Sequence, residues 1–161
     1  MWIRAATIDD CEAILRVNID SWRWAYQGIV PSEMLPNAED LPDRARRMRE
    51  NWNDEDPRFV VEIEGAIAGY SFGKLACRLA DFESEIEALY THPDVARKGV
   101  GKALFNHSEH LFREAGKKNL AIHTLEGNAI GRGFYEKMGG FVVASDLWRD
   151  LPAVWYGWPN L

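Results

Sequence analysis

The sequence predicts an α/β protein with a mixed central sheet, and two observations lead to this class. Apolar residues recur at helical spacing in four segments, and seven short segments rich in apolar residues are bounded by Gly, Pro or polar residues. The resulting order is β-α-α-β-β-β-α-β-α-β-β, in which helices and strands are interleaved. The 161 residues fit one domain, residues 1–161, without an internal repeat or a linker.

Local signals set the bounds of these elements. Thr7 starts a capping-box pattern ahead of the first helix, and Glu64-Gly65 is a hairpin turn. Asn128 is predicted to cap the last helix, and Pro152 is predicted to break the chain between the last two strands. The predicted strands are residues 2–5, 59–63, 66–75, 85–91, 120–125, 141–148 and 153–158. The longer helices start at Thr7 and at about residues 39, 100 and 128.

A glycine-containing loop between the third long strand and the next helix is the most informative feature. It reads Arg97-Lys98-Gly99-Val100-Gly101-Lys102. A helix N-terminus presents unpaired N–H groups and a partial positive charge, and glycines let the backbone approach an anion closely. Because basic side chains flank these groups, we expect the loop to hold a pyrophosphate.

Two other phosphate-binding motifs are excluded by single residues. A Walker loop requires Gly at the position of Ala96 and Ser or Thr at the position of Ala103. A dinucleotide-binding fingerprint requires Gly or Ala where Leu104 stands. Gly-x-Gly alone also fits a tight turn before a helix, so the rest of the chain must decide between the two interpretations.

The segments around the loop resemble a known family. Residues 85–93 together with 97–101 resemble the central motif of the GCN5-related N-acetyltransferase (GNAT) superfamily. Residues 128–129 and 134–141 resemble the downstream motif of the family. Residues 3–6 and 21–28 resemble its N-terminal portion. The resemblance covers nearly the whole chain, and it implies a single-domain GNAT-like fold with acetyl-CoA as the acyl donor. A homodimer is expected only by analogy with the family.

The resemblance also implies which residues contact the donor. Backbone N–H groups of residues 97–102 would bind its pyrophosphate, and main-chain groups of Leu89 and Thr91 would bind its pantetheine arm. The family commonly has Arg or Gln where this chain has Ala96, and Arg97 stands next to it. The implied donor-binding residues are Leu89, Thr91, Arg97, Lys98, Gly99, Val100, Gly101, Lys102 and Asn128.

Three residues are candidates for the chemistry. Tyr135 occupies the place where family members have a tyrosine near the donor's sulfur, and a phenol with a pKa of about 10 is matched to an alkyl thiol. The alternative for Tyr135 is packing between helix and sheet. Glu85 and Glu87 lie two apart on one strand and so face the same side. Either is a candidate base by analogy with the family, or both are solvated strand residues.

Aromatic residues of the first helix are the candidates for the acceptor pocket. Trp22 and Tyr26 are four apart and share a helix face, and Trp24 lies between them. In the family this region shapes the pocket for the amine, and aromatic walls suit flat or cationic acceptors. Packing of the helix onto the sheet is the competing interpretation.

Composition and charge argue against several other classes of protein function. The net charge of −6, from 19 basic and 25 acidic residues, argues against nucleic-acid binding. No apolar run approaches the ~20 residues needed to span a bilayer, and no signal-peptide pattern is present, so a cytoplasmic location is expected. The four His residues and the two Cys residues show no recognised metal-ligand spacing, and no metal is expected.

These observations lead to one expected function and two alternatives. We expect an enzyme that moves an acetyl group from acetyl-CoA to a primary amine of a small molecule by direct attack. One alternative is acetylation of a protein α-amino group or lysine. The other is a non-catalytic sensor that binds acyl-CoA on the same fold. The sequence does not name the amine.

Overall fold

The computed structural model describes residues 1–161 and confirms the predicted order of elements around one mixed sheet. The strands are β1 Trp2–Ala5, β2 Arg58–Ile63, β3 Ala66–Lys74, β4 Glu85–Thr91, β5 Leu120–Leu125, β6 Phe141–Trp148 and β7 Leu151–Trp158. The helices are α1 Cys11–Tyr26, α2 Leu41–Glu50, α3 Val100–Glu114 and α4 Ala129–Lys137. None of the helices combines the length and the apolar character that crossing a membrane requires.

Helices cover both faces of the sheet, and the alternation of side chains along a strand explains how. In β2, Val60 packs with Ile14 and Val17 of α1, whereas Val61 packs with Val100 and Leu104 of α3. The α2 helix packs on α1, and a larger apolar cluster joins α3 and α4 to β5 and β7. The result is a three-layer arrangement with the sheet in the middle.

The sheet has the strand order β1-β2-β3-β4-β5-β7-β6, and all neighbouring strands are antiparallel except β4 and β5. This parallel pair is short, because only Glu85 and Ile86 of β4 have partners in β5. Beyond Ile86 the two strands separate while each continues for several residues. A wedge therefore opens in the middle of the sheet.

A β-bulge lies at the point where the wedge opens. Phe72 of β3 pairs with Ala88, but the next residue, Gly73, pairs with Ile86, so Glu87 is an extra residue in β4. The bulge shifts the alternation of β4: Ile86 packs on the α3 side and Ala88 on the α1 side. Sequence periodicity alone did not indicate it.

The last hairpin differs from the prediction at Pro152. Pro152 lies inside β7 opposite Leu147, and the turn is formed by Arg149 and Asp150, whose φ angles are 47° and 66°. The carbonyl of Pro152 accepts from the N–H of Glu126, just past the end of β5. The missing N–H of proline therefore points to the same edge, where the ladder with β5 has already ended, and no sheet hydrogen bond is lost.

An ion-pair network fixes the start of the chain to the sheet. The guanidinium of Arg4 donates two hydrogen bonds to the Asp10 carboxylate, at 2.7 and 2.8 Å, and a third to Glu62 at 2.8 Å. The hydrogen bonds from Arg4, opposed by partial burial, lower the pKa of Asp10 to about 2. The network ties β1, β2 and the residues leading into α1 together.

We predict that Asp10→Asn lowers the free energy of unfolding at pH 7 by about 1–2 kcal/mol, because one partner of the Arg4 pair loses its charge. Since the folded-state pKa of Asp10 lies below its unfolded value, this stabilisation is complete above about pH 4 and is lost as the pH falls towards 2. Urea unfolding at several pH values measures it. The matched control is Asp9→Asn, because Asp9 is exposed and makes no ion pair; equal losses in the two variants would contradict the prediction.

Candidate active site

A cavity of about 820 Å³ occupies the wedge between β4 and β5. Its walls are the carboxyl-terminal parts of these two strands, the loop and first turn at the start of α3, most of α4, and the last turns of α1. The cavity lies at the edge of a strand pair that has come apart, so main-chain groups as well as side chains are exposed in it. Such a crevice at the carboxyl ends of strands is a common ligand site in α/β proteins.

The loop before α3 directs backbone N–H groups towards this cavity. Gly99, with φ of 85°, precedes the first residue of α3, and Arg97 also has a positive φ of 64°. Successive residues of this kind form a concave arrangement of N–H groups that binds anions. No loop or side-chain hydrogen bond of the protein uses the N–H groups of Arg97, Gly99, Val100, Gly101 or Lys102.

The loop end of the cavity is positively charged. Arg97 of the loop and Lys102 of the first turn of α3 line the cavity, as does Lys137 at the end of α4. Lys98 does not, and its N–H donates to the carbonyl of Val95 at 3.2 Å, so the structure brings Lys98 no closer than the neighbourhood of the site. The side chain of Val100 is buried in the core, which leaves only its main chain for a ligand.

The β4 edge of the cavity is formed by residues that pair with β3 on one side and have no partner in β5 on the other. Leu89 and Thr91 both line the cavity beyond the point where β5 departs. The hydroxyl of Ser21 in α1 donates to the carbonyl of Thr91 at 2.8 Å and fixes the end of the strand. The rest of this edge offers main-chain donors and acceptors, the groups that an extended amide-containing arm would use.

Asn128 joins three elements at the base of the cavity. Its side-chain oxygen accepts from the N–H of Gly131 at 3.0 Å and caps α4, as the sequence predicted. Its amide nitrogen donates to the hydroxyl of Tyr26 at 3.1 Å and to Thr124 at 3.2 Å. Asn128 also lines the cavity, so capping and ligand contact are compatible.

Tyr135 is almost fully buried and still lines the cavity. Its ring packs against Tyr156 and Trp158, at centroid distances of 5.5 and 6.3 Å. Its hydroxyl makes no hydrogen bond with a protein group. Burial raises the pKa of Tyr135 well above its usual range, so the phenol stays protonated at neutral pH and can donate.

Glu85 and Glu87, which the sequence did not separate, have different surroundings. Glu85 is completely buried, its carboxylate is bound by the guanidinium of Arg78, and it does not line the cavity. Glu87 lines the cavity, is 40% exposed, and pairs with Lys74 at 3.3 Å. Only Glu87 has a carboxylate that a ligand in the cavity can reach.

Of the three aromatic candidates in α1, two line the cavity and one does not. Trp24 and Tyr26 line the cavity, and Trp24 is 47% exposed. Trp22 does not line it; its ring packs behind, 4.4 Å from the ring of Tyr26 and 5.9 Å from that of Trp148. Trp22 therefore supports the position of Tyr26 rather than meeting a ligand itself.

One polar group of the cavity was missed by the sequence reasoning. His123 of β5 lines the cavity, and its Nε2 lies 2.7 Å from the Asp146 carboxylate of β6. Trp155 stacks on the imidazole at 4.4 Å and donates to the same carboxylate at 3.0 Å. A single His among the apolar residues of β5 was the only available signal, because Asp146 lies 23 residues away.

The charge of Asp146 is stabilised in this arrangement. Partial burial opposes its ionisation, but the hydrogen bonds from His123 and Trp155 prevail and lower the pKa of Asp146. No group of three or more His, Cys, Asp or Glu side chains that could hold a metal ion occurs in the structure. The site is thus a cavity with an N–H-rich, basic loop on one side and with Glu87 and His123 where β4 and β5 separate; Trp24 also lines it.

Comparisons with known proteins agree with this architecture. The chain is 26% identical to the uncharacterized N-acetyltransferase YuaI of Bacillus subtilis (strain 168), over 99% of this chain and 93% of that protein. It is 26% identical to the spermidine N(1)-acetyltransferase of Thermoplasma acidophilum, over 89% of this chain and 90% of that protein.

Solved structures share the fold. The PaiA N-acetyltransferase of Thermoplasma acidophilum, solved in complex with coenzyme A, superposes with a TM-score of 0.73 at 22% identity, covering 96% of each chain. An acetyltransferase of Thermus thermophilus gives 0.75 at 21% identity, covering 98% of this chain and 96% of that one. Residues 18–141 match the acetyltransferase (GNAT) family, and the chain is therefore an N-acetyltransferase of that family.

Proposed function

We propose that the protein transfers the acetyl group of acetyl-CoA to a primary amine of a small molecule by direct attack. The observation that carries this proposal is the set of unpaired N–H groups at the start of α3, which open onto the cavity beside Arg97 and Lys102. A diphosphate matches this end in charge and in its need for hydrogen-bond donors. No metal takes part in the proposal.

The donor then lies along the edge of β4. Its pantetheine arm contains amides, and the main chain from Leu89 to Thr91 offers the complementary groups beyond the departure of β5. Donation from this main chain to the thioester carbonyl stabilises the oxyanion that forms during attack. Asn128 and the first turn of α4 close the other side of the arm.

The acceptor amine enters from the end lined by Glu87 and Trp24. A carboxylate and an exposed aromatic ring attract and orient a cationic amine. Glu87 is the carboxylate that the sequence offered as a base, and its place in the cavity keeps that role available, directly or through water. The similarity to a spermidine N(1)-acetyltransferase supports a small cationic amine as the acceptor.

Chemistry proceeds without a covalent enzyme intermediate. The neutral amine forms the C–N bond to the acetyl carbon, and the C–S bond breaks. Tyr135 donates its proton to the departing thiolate and takes one from the nitrogen of the product. The other proton that the ammonium loses leaves the nitrogen before the attack and is released to water.

A thiol-release assay over amino acids, polyamines, aminoglycosides and peptides tests the function. We expect acetyl-CoA-dependent release with at least one small primary amine, and we expect polyamines to lead. Release only with peptides would indicate a protein acetyltransferase. Silence over the whole panel by a protein that binds CoA would indicate a sensor, and either result would contradict the proposal.

We predict that Gly101→Asp weakens CoA binding roughly 30-fold, about 2 kcal/mol, because its carboxylate would lie against the pyrophosphate. A Cβ at Gly101 meets only the ring of Phe134, at 3.6 Å, and Thr91, at 3.9 Å, so the fold tolerates a side chain there. The matched control is Gly101→Asn, which has the same shape without the charge. Calorimetry of the two variants separates charge from bulk, and equal affinities would refute the loop assignment.

We predict that Tyr135→Phe lowers kcat roughly 100-fold and leaves the affinity for CoA unchanged, because the hydroxyl acts on the leaving thiolate. The fold should be retained, since this hydroxyl makes no hydrogen bond with the protein. The control is Tyr70→Phe, a buried tyrosine outside the cavity whose hydroxyl accepts from Asn18. Steady-state kinetics that show equal kcat values in both variants and the parent would rule out the role.

A further inference from the structure

The position of His123 is fixed on three sides. It lies directly opposite Trp155 in the register of β5 and β7, and the two rings stack at an interplanar angle of 28°. Its Nε2 contacts the Asp146 carboxylate at 2.7 Å. Only 12% of the side chain is exposed, and the part that is accessible lines the cavity.

The Asp146 contact determines which ring nitrogen can accept a proton. An ionised carboxylate only accepts hydrogen bonds, so Nε2 must carry the hydrogen in neutral His123. The lone pair is then on Nδ1. This atom makes no hydrogen bond with the protein and keeps some accessible surface, in a residue that lines the cavity.

The surrounding charges allow His123 to carry a proton during the reaction. Glu85 is bound by Arg78 and Glu87 pairs with Lys74, so neither carboxylate depends on His123 for a cationic partner. Asp146 makes an ion pair only with His123, while the positive charge of Arg78, 5.4 Å from the centroid of the Trp155 ring, also acts on it. A proton taken up by the imidazole would thus face the one carboxylate that the ring contacts.

We propose that His123 is the general base that takes the first proton from the acceptor ammonium, and that Asp146 is the residue that positions it. This inference rests on the proposed function. Nδ1 receives the proton, the N–H bond of the ammonium breaks, and the neutral amine attacks the acetyl carbon. The imidazolium then returns the proton to water. Glu87, beside the same opening, attracts the ammonium before it gives up this proton.

The register of the sheet supports these separate roles for His123 as base and Glu87 as the group that attracts the ammonium. Ile86 and Ile122 are the last paired residues of β4 and β5, so Glu87 and His123 are the first residues on either side of the opening. An amine that enters between the strands meets both. Of the two side-chain types, an imidazole is the better matched proton acceptor, because its ordinary pKa of about 6.5 lies closest to a neutral working pH.

The test compares pH profiles of kcat/KM for thiol release, with spermidine as the first amine and then the fastest amine of the panel. In the parent we expect kcat/KM to rise with pH through a single ionisation, in the range where imidazoles lose their proton. His123→Gln should lose roughly 100-fold at pH 7.5, and its rise should shift towards the pKa of the amine, about 10.4. The matched control is His110→Gln, an exposed residue of α3 outside the cavity.

Asp146→Asn keeps the imidazole of His123 and changes an exposed side chain, so the fold should tolerate it. This variant therefore tests the role of His123 even if His123→Gln does not fold. Without the anion the imidazolium loses its partner, so the rise in kcat/KM should move to lower pH; NMR titration of the imidazole should show the same shift. CoA affinity by calorimetry should stay unchanged in both variants.

Two outcomes would overturn the role of His123 and leave the proposed function intact. One is a parent-like profile in His123→Gln. The other is loss of the rise in Glu87→Gln but not in His123→Gln, which would make Glu87 the base. If the parent releases no thiol with any amine, the proposed function fails, and the inference fails with it.

Discussion

The separation of β4 and β5 after two paired residues is the constraint on which the site depends. Parallel strands in a buried sheet would ordinarily stay paired, because unpaired main-chain groups in an interior are costly. Here the extra residue at Glu87 shifts the register of β4 against β3, and β5 departs at the same place. The unpaired strand edge is stable only if a ligand or water completes its hydrogen bonds. A binding groove is thus part of the sheet's own geometry.

The same opening brings together groups from distant parts of the chain. The α3 N-terminus supplies N–H groups, α4 supplies Tyr135, and α1 supplies Trp24. Each of these helices packs on the sheet through an apolar face. The stability of the fold therefore comes from these faces, and the groups that line the groove contribute little to it. Arg97, whose backbone has a left-handed conformation, stands beside Ala96, and both line the cavity.

Much of this arrangement was predictable from the sequence, and the failures have physical causes. The element order and the capping role of Asn128 follow from local signals, and the structure agrees with them. The bulge at Glu87 was not predictable, because it depends on register against another strand. The Pro152 prediction was wrong because a proline is tolerated where the neighbouring strand has ended. His123 was missed because its partner Asp146 approaches only through the sheet.

Asn128 has a consequence for how the two substrates influence one another. One amide caps α4, which borders the donor arm in the proposed complex, and also holds the hydroxyl of Tyr26 on the wall proposed for the acceptor. The relative placement of the two walls is therefore set by a single side chain rather than by a flexible segment. Change in the preferred amine is then easiest at places that leave this link untouched, such as the connection from Gln27 to Asp40 or the turn at Arg149 and Asp150.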